Sequence, residues 1–202
     1  MEWTFFMSVA LFAFITSVTP GPNNVMLLAS GAQFGFFRTI PHIVGILLGV
    51  AMLLVSVLTG LGVIFKAFPI LYDALKWLGA AYLLWLSYKI TFAPVKEAIE
   101  GERAIKSNPF SWWQAALFQF VNPKAWMMAI GCVSTFSMEG DAYVTSAIWI
   151  VILFASLGLP AICIWAGLGV SIGRLLTNEK RKRMFNYIMG AATASTLLMV
   201  VA

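Results

Sequence analysis

Charge is scarce in this chain. Only 10% of its 202 residues are Asp, Glu, Lys or Arg, and the stretches 3–37, 39–65, 142–173 and 184–202 contain none. An ordinary soluble domain carries about 25%. Hydrophobic residues make up 61%. A soluble domain of this size keeps too much of its chain at the surface to bury that much apolar area, so the implied solvent is a lipid bilayer. Histidine and cysteine are also scarce, with one and two copies. A single histidine argues against a metal centre. Cys132 and Cys163, isolated in hydrophobic stretches, suggest neither a disulfide framework nor a metal site. No basic region precedes the first hydrophobic run, where Glu2 is the only early charge and Arg38 the first basic residue. That segment reads as a retained span and not as a cleavable signal. The net charge of +5 does not imply nucleic acid, because the basic residues gather at the ends of hydrophobic runs.

What is present is a set of long apolar segments. About 20 apolar residues cross a bilayer as a helix, and a membrane barrel would instead show short alternating strands. The expected fold is an all-α integral membrane protein with spans at about 4–32, 41–65, 68–88, 111–137, 143–173 and 184–202. One link is long. Residues 89–110 hold Lys89, Lys96, Glu97, Glu100, Glu102, Arg103 and Lys106, with Pro94 and Pro109, and read as a solvated loop near the midpoint.

The halves on either side resemble each other. Pro20 of TPGP corresponds to Pro123 of NPKA at an offset of 103, GLGV at Gly60–Val63 recurs at Gly167–Val170 at 107, and LGAAYLL around Gly79 matches MGAATAS around Gly190 at 111. This order argues for a duplication: one transmembrane domain over 1–202, with repeat one over about 1–93, the loop over about 89–110 and repeat two over about 108–202. Three spans per unit is an odd number, so the second unit is inverted, a construction common in secondary transporters. The C-terminal span lacks the aromatic residues of its counterpart, which loosens the symmetry.

Basic residues orient the chain. Loops one, three and five carry Arg38, Lys89, Lys96, Arg103, Lys106, Arg174, Lys180, Arg181, Lys182 and Arg183, whereas loops two and four carry only Lys66 and Lys76. The positive-inside rule makes the odd loops cytoplasmic and both termini periplasmic. Trp3, Trp112 and Trp113 fall at span ends, where an aromatic belt places them. Gly45, Gly49, Gly60, Gly62, Gly158, Gly167, Gly169 and Gly173 read as close-packing positions.

The chemistry concentrates in two places. In Thr19-Pro20-Gly21-Pro22-Asn23-Asn24, the two prolines remove helical hydrogen bonds from the carbonyls of Thr16 and Val18, and Gly21 permits a bend. Such groups must face protein or a wet cavity, not hydrocarbon. The segment is either a proline kink in a packing helix or a broken helix lining a cavity. In Val121-Asn122-Pro123-Lys124, Pro123 frees the carbonyl of Gln119. Lys124 lies about 13 residues into its span, about 20 Å of helix rise. It is either a functional group near mid-membrane or a structural counter-charge for freed carbonyls. Each break pairs a helix N-terminus, which favours a carboxylate, with free carbonyls, which favour an ammonium. Amino acids, other polar solutes and ions all fit that pair. His42, after Pro41 at the start of the second span, is an interfacial residue or a proton sensor. Asp73, Glu139 and Asp141 sit at outer loops or span ends.

At these residues the chain resembles a known family. TPGPN near the end of the first hydrophobic run, WLGAAYLLWL in the third span and FQFVNPKAW in the fourth are similar to the lysine-exporter (LysE/RhtB) family over essentially the whole chain. Within the family they are nearest the exporters of cysteine and O-acetylserine. The resemblance implies export of amino acids or their derivatives across the bacterial inner membrane, driven by the electrochemical gradient. The matching positions are Pro20, Gly21, Pro22, Asn23, Asn122, Pro123 and Lys124. No catalytic residue, cofactor or metal is implied, and no phosphate-binding loop is present. Homo-oligomerisation stays open, and a passive pore, an accessory subunit and an intramembrane enzyme are the competing classes.

Overall fold

A computed structural model describes residues 2–61, 67–93 and 108–198. Lys66, Gly62, Pro94, Lys96, Glu97, Glu100, Glu102, Arg103 and Lys106 lie outside them. Among the described residues there are eight α-helices: α1 (Trp3–Val18), α2 (Pro22–Phe34), α3 (Phe36–Leu58), α4 (Pro69–Thr91), α5 (Trp112–Val121), α6 (Pro123–Phe136), α7 (Tyr143–Leu175) and α8 (Glu179–Ser195). A 3-10 turn at Gly140–Ala142 precedes α7. The segments expected at 4–32 and 111–137 are therefore each two helices joined at a proline. α3, and α7 with its preceding turn, are long and apolar enough to cross a membrane, and the pair α1 and α2, bent by 59°, together pass the same test.

Sequence periodicity sets which side of each helix turns inward. On α1, Phe5, Val9, Ala13 and Ser17 are buried at a spacing of four, while Trp3, Met7, Leu11 and Ile15 form the outer stripe. Both stripes are largely apolar, as suits a helix with protein on one side and lipid on the other. Trp112 and Trp113 are likewise exposed at the start of α5.

Among the described residues the inward side chains form three clusters, two of which hold α3 and α7 against the broken helices. Phe5, Val9, Leu53, Trp126, Ile150 and Phe154 join α1, α3, α6 and α7. Leu27, Ile43, Ile46, Ala115, Ile162 and Ala166 join α2, α3, α5 and α7. α2 and α3 are separated by Gly35 alone, whose φ of 80° is a conformation other residues rarely adopt. Ser30 and Thr39 hydroxyls meet across this corner at 2.9 Å.

The broadest helix contact, between α2 and α7, depends on missing side chains. A Cβ at Gly31 would meet the Ala166 carbonyl oxygen, and one at Gly169 would meet that of Leu28. At Gly167, one turn-face away, nothing lies within 4 Å. Gly169→Ala should therefore destabilise by about 1–3 kcal/mol through overpacking, while Gly167→Ala is neutral or stabilising by up to about 1 kcal/mol. Thermal unfolding of the two purified variants checks the opposite signs.

Candidate functional site

Each break places a proline at the first position of the following helix, where its missing N–H costs nothing. Pro22 opens α2 and Pro123 opens α6. Pro22 and Pro123 thus hold the same position in their helices. The first break is the longer: Thr19, Pro20 and Gly21 separate α1 from α2, whereas Asn122 alone separates α5 from α6.

A break leaves carbonyls without helical donors, and side chains supply them here. The Thr19 hydroxyl donates to the Thr16 carbonyl at 2.8 Å. Asn24 Nδ2 donates to the carbonyls of Ser17 at 2.9 Å and Thr19 at 2.6 Å. Trp165 Nε1, reaching from α7, donates to the Val18 carbonyl at 3.0 Å. At the second break Trp126 Nε1 donates to the Phe120 carbonyl at 2.8 Å, and the Asn122 side chain accepts from the Lys124 N–H at 3.2 Å. The Gln119 carbonyl accepts from the Asn122 N–H at 3.3 Å.

The two breaks touch. Asn23 Nδ2 donates to Gln119 Oε1 at 2.8 Å, and Gln119 Nε2 donates back to Asn23 Oδ1 at 3.1 Å. Gln119 is fully buried, and its amide also donates to the Ala115 carbonyl at 2.9 Å. The half-buried Lys124 crosses to the first break. Its ammonium donates to the Thr19 carbonyl, to Thr19 Oγ1 at 3.0 Å and to the Pro20 carbonyl at 3.2 Å. Gly21 leaves room for that crossing, since a Cβ there would lie 2.6 Å from Lys124 Cδ. A cavity of about 40 Å³, lined by Thr16, Gly21, Asn23, Asn24, Asn122 and Lys124 among others, lies between the breaks. One water needs about 10–15 Å³ on this measure, so the space suits a few waters.

Of the residues picked out from sequence, Thr19 to Asn24, Gln119 and Asn122 to Lys124 therefore converge on one locus. His42 does not join them. α3 begins at Phe36, so His42 lies inside the helix, buried and stacked on Phe110 with ring centroids 5.3 Å apart. His42 is thus buried within the protein, in the second turn of α3. Trp165 and Ser17 went unread. A buried indole N–H requires an acceptor, which is a usable signal, but its partner lies 147 residues away.

The LysE type translocator family profile matches residues 14–202. The chain belongs to that family. It is 32% identical over 174 residues to the Cysteine/O-acetylserine efflux proteins of Escherichia coli (strain K12) and Shigella flexneri serotype 5b (strain 8401), covering 85% of this chain and 85% of each relative. No solved structure matches the chain. With apolar helices of spanning length, this translocator is a multi-pass membrane protein.

Burial and bonding at the breaks define their energetics. Removing a donor strands a carbonyl, at about 1–3 kcal/mol. Asn24→Leu, which strands the Ser17 carbonyl, and Trp165→Phe, which strands that of Val18, should each lower unfolding stability by that amount. Thermal unfolding in detergent checks this, with the exposed Trp77→Phe as a control expected within about 0.5 kcal/mol.

Proposed function

We propose that this translocator exports amino acids or small amino-acid derivatives across the bacterial inner membrane as a secondary transporter, drawing on the electrochemical gradient. The observation that carries the reading is the meeting of two helix breaks, bridged by Asn23 with Gln119 and by Lys124 with Thr19. The relatives' efflux of cysteine and O-acetylserine supports a small zwitterionic substrate. A zwitterion can take over both sides of the bridge. Its ammonium can replace that of Lys124 on the carbonyls of Thr19 and Pro20, and its carboxylate can receive Lys124 in exchange. The substrate-binding set is then Thr19, Pro20, Gly21, Pro22, Asn23, Asn24, Gln119, Asn122, Pro123 and Lys124. The small cavity means that the breaks part during passage.

The six-span, inverted-repeat architecture belongs to this proposal, with repeats over about 1–93 and 108–202. α1 with α2 corresponds to α5 with α6, α3 to α7, and α4 to α8. Helix contacts follow the exchange: α1 with α7 mirrors α5 with α3, α2 with α7 mirrors α6 with α3, and α3 with α7 and α4 with α8 are their own mirrors. The basic bias of the odd loops places both termini in the periplasm and the central loop in the cytoplasm.

Two measurements test this. In proteoliposomes with an imposed gradient, the unmutated chain should accumulate O-acetylserine or cysteine, and equilibration without accumulation would mean a pore. Lys124→Met should cut transport about tenfold or more with membrane abundance maintained, and Lys124→Arg should restore part of it, since a planar fork differs from a point-like ammonium. Full transport by the Met variant would make Lys124 structural. For topology, reporter fusions after Ala202 and within 96–106 should report periplasm and cytoplasm respectively, and a cytoplasmic C-terminus would break the six-span arrangement.

A further inference from the structure

A second cavity, of about 590 Å³, lies apart from the breaks. Its walls come from α2, α3, α4 and residues 108–114, so it sits at the end of the bundle where residues 93 and 108 flank the central loop. That is the cytoplasmic end under the proposed orientation. His42 lines it, 1% exposed, and neither ring nitrogen has a hydrogen-bond partner among the described residues. Leaving a buried polar group unpaired costs about 1–3 kcal/mol, and an apolar ring would fill the same space without that cost. The neighbouring polar groups are engaged. Ser30 bonds Thr39 at 2.9 Å, Gln33 Nε2 donates to Asn186 Oδ1 at 3.3 Å, and Gln114 Oε1 accepts from Ser111. Among the described residues His42 is the buried side chain with capacity to spare.

Among the described residues the charge around it is of one kind. Lys89 of α4 is the charged residue lining the cavity, exposed at the rim with its ammonium 4.4 Å from the Trp85 ring centroid. Tyr88 of α4 is the other titratable group, and α2 and residues 108–114 contribute none. An imidazole offers one donor and one acceptor when a single nitrogen carries hydrogen. A carboxylate attracted to Lys89 and an ammonium donating to His42 are the two ends of an amino acid.

We propose that this cavity is a loading site, where the exported amino acid docks from the loop side with its ammonium on His42 and its carboxylate towards Lys89, before it reaches the helix breaks. The inference rests on the exporter reading. α2 links the two places: Ser30 lines the cavity, and Pro22 lies eight residues earlier, about 12 Å along the helix.

O-acetylserine transport by the full chain in proteoliposomes tests it. His42→Phe keeps a ring against Phe110 and removes both nitrogens, while His42→Gln keeps a donor and an acceptor. The expected result is a KM raised about tenfold by Phe, the effect of losing one charge-assisted hydrogen bond, with Vmax little changed and most of the loss recovered by Gln. An unchanged KM, or an effect confined to Vmax, overturns the loading site. Because His42 is the one histidine in the chain, its ring nitrogens can also be followed by NMR in the unmutated protein, whatever the Phe variant does to folding. O-acetylserine should shift them saturably, also in Lys124→Met, and no shift at saturating O-acetylserine overturns the proposal. Absence of transport by the unmutated chain overturns the exporter reading and the loading site together, whereas an unchanged KM in His42→Phe overturns the loading site alone.

Discussion

The carbonyls of Thr16, Ser17, Val18, Thr19 and Pro20, released where α1 stops and α2 begins, each accept a hydrogen bond from a side chain. In hydrocarbon each would otherwise cost several kcal/mol. The donors come from three places: Thr19 and Asn24 beside the break, Trp165 on α7, and Lys124 at the start of α6. Much of the packing can be understood as holding those donors in position. α7 lies along both α1 and α2, which brings Trp165 to Val18. Gly21 lacks a side chain, which lets Lys124 lie across the break.

That arrangement explains how a lysine can sit within an apolar helix pair. On insertion scales a charge at the bilayer centre costs about 2.5–3.5 kcal/mol, a figure comparable to one stranded carbonyl and smaller than two. Lys124 serves the Pro20 carbonyl and shares that of Thr19 with Asn24, so the charge is offset locally. The same comparison explains the amide pair. Asn23 and Gln119 each need partners once buried, and meeting each other satisfies both while joining the two halves of the chain.

The breaks were legible in the sequence because proline acts through the backbone alone. TPGPNN and VNPK name their own interruptions, and the freed carbonyls follow from counting back four residues. What satisfies those carbonyls was not legible. Gln119 stood out only for its carbonyl, yet its side-chain amide forms the bridge. Trp165 sits in a charge-free stretch with nothing local to mark it. Helix starts were also hidden: the sequence did not show that Pro22, and not Pro20, opens the helix after the first break. The start of the second span was hidden for a related reason. Pro41 looks like a helix-start signal, but Gly35 turns the chain in one residue and α3 is already under way.

A bridge built from an ammonium on carbonyls and an amide on an amide joins the two breaks, and under the proposed function it is also replaceable. Its ammonium is a group that an amino acid also carries. In the proposed exchange, a substrate that supplies an ammonium to Thr19 and Pro20 and a carboxylate to Lys124 forms bonds of the same type, and the Asn23–Gln119 amide pair is the part it does not replace. A hydrophobic seal of equal stability would lack that property, because no polar substrate could substitute for its contacts. Separating the breaks without substrate takes the Lys124 ammonium from the Pro20 carbonyl and the Asn23 amide from Gln119, each at a cost of about 1–3 kcal/mol or more, whereas the Thr19 carbonyl keeps Asn24 and the Gln119 amide keeps the Ala115 carbonyl. That difference favours opening with cargo over opening empty, and it comes from the hydrogen bonds at the breaks.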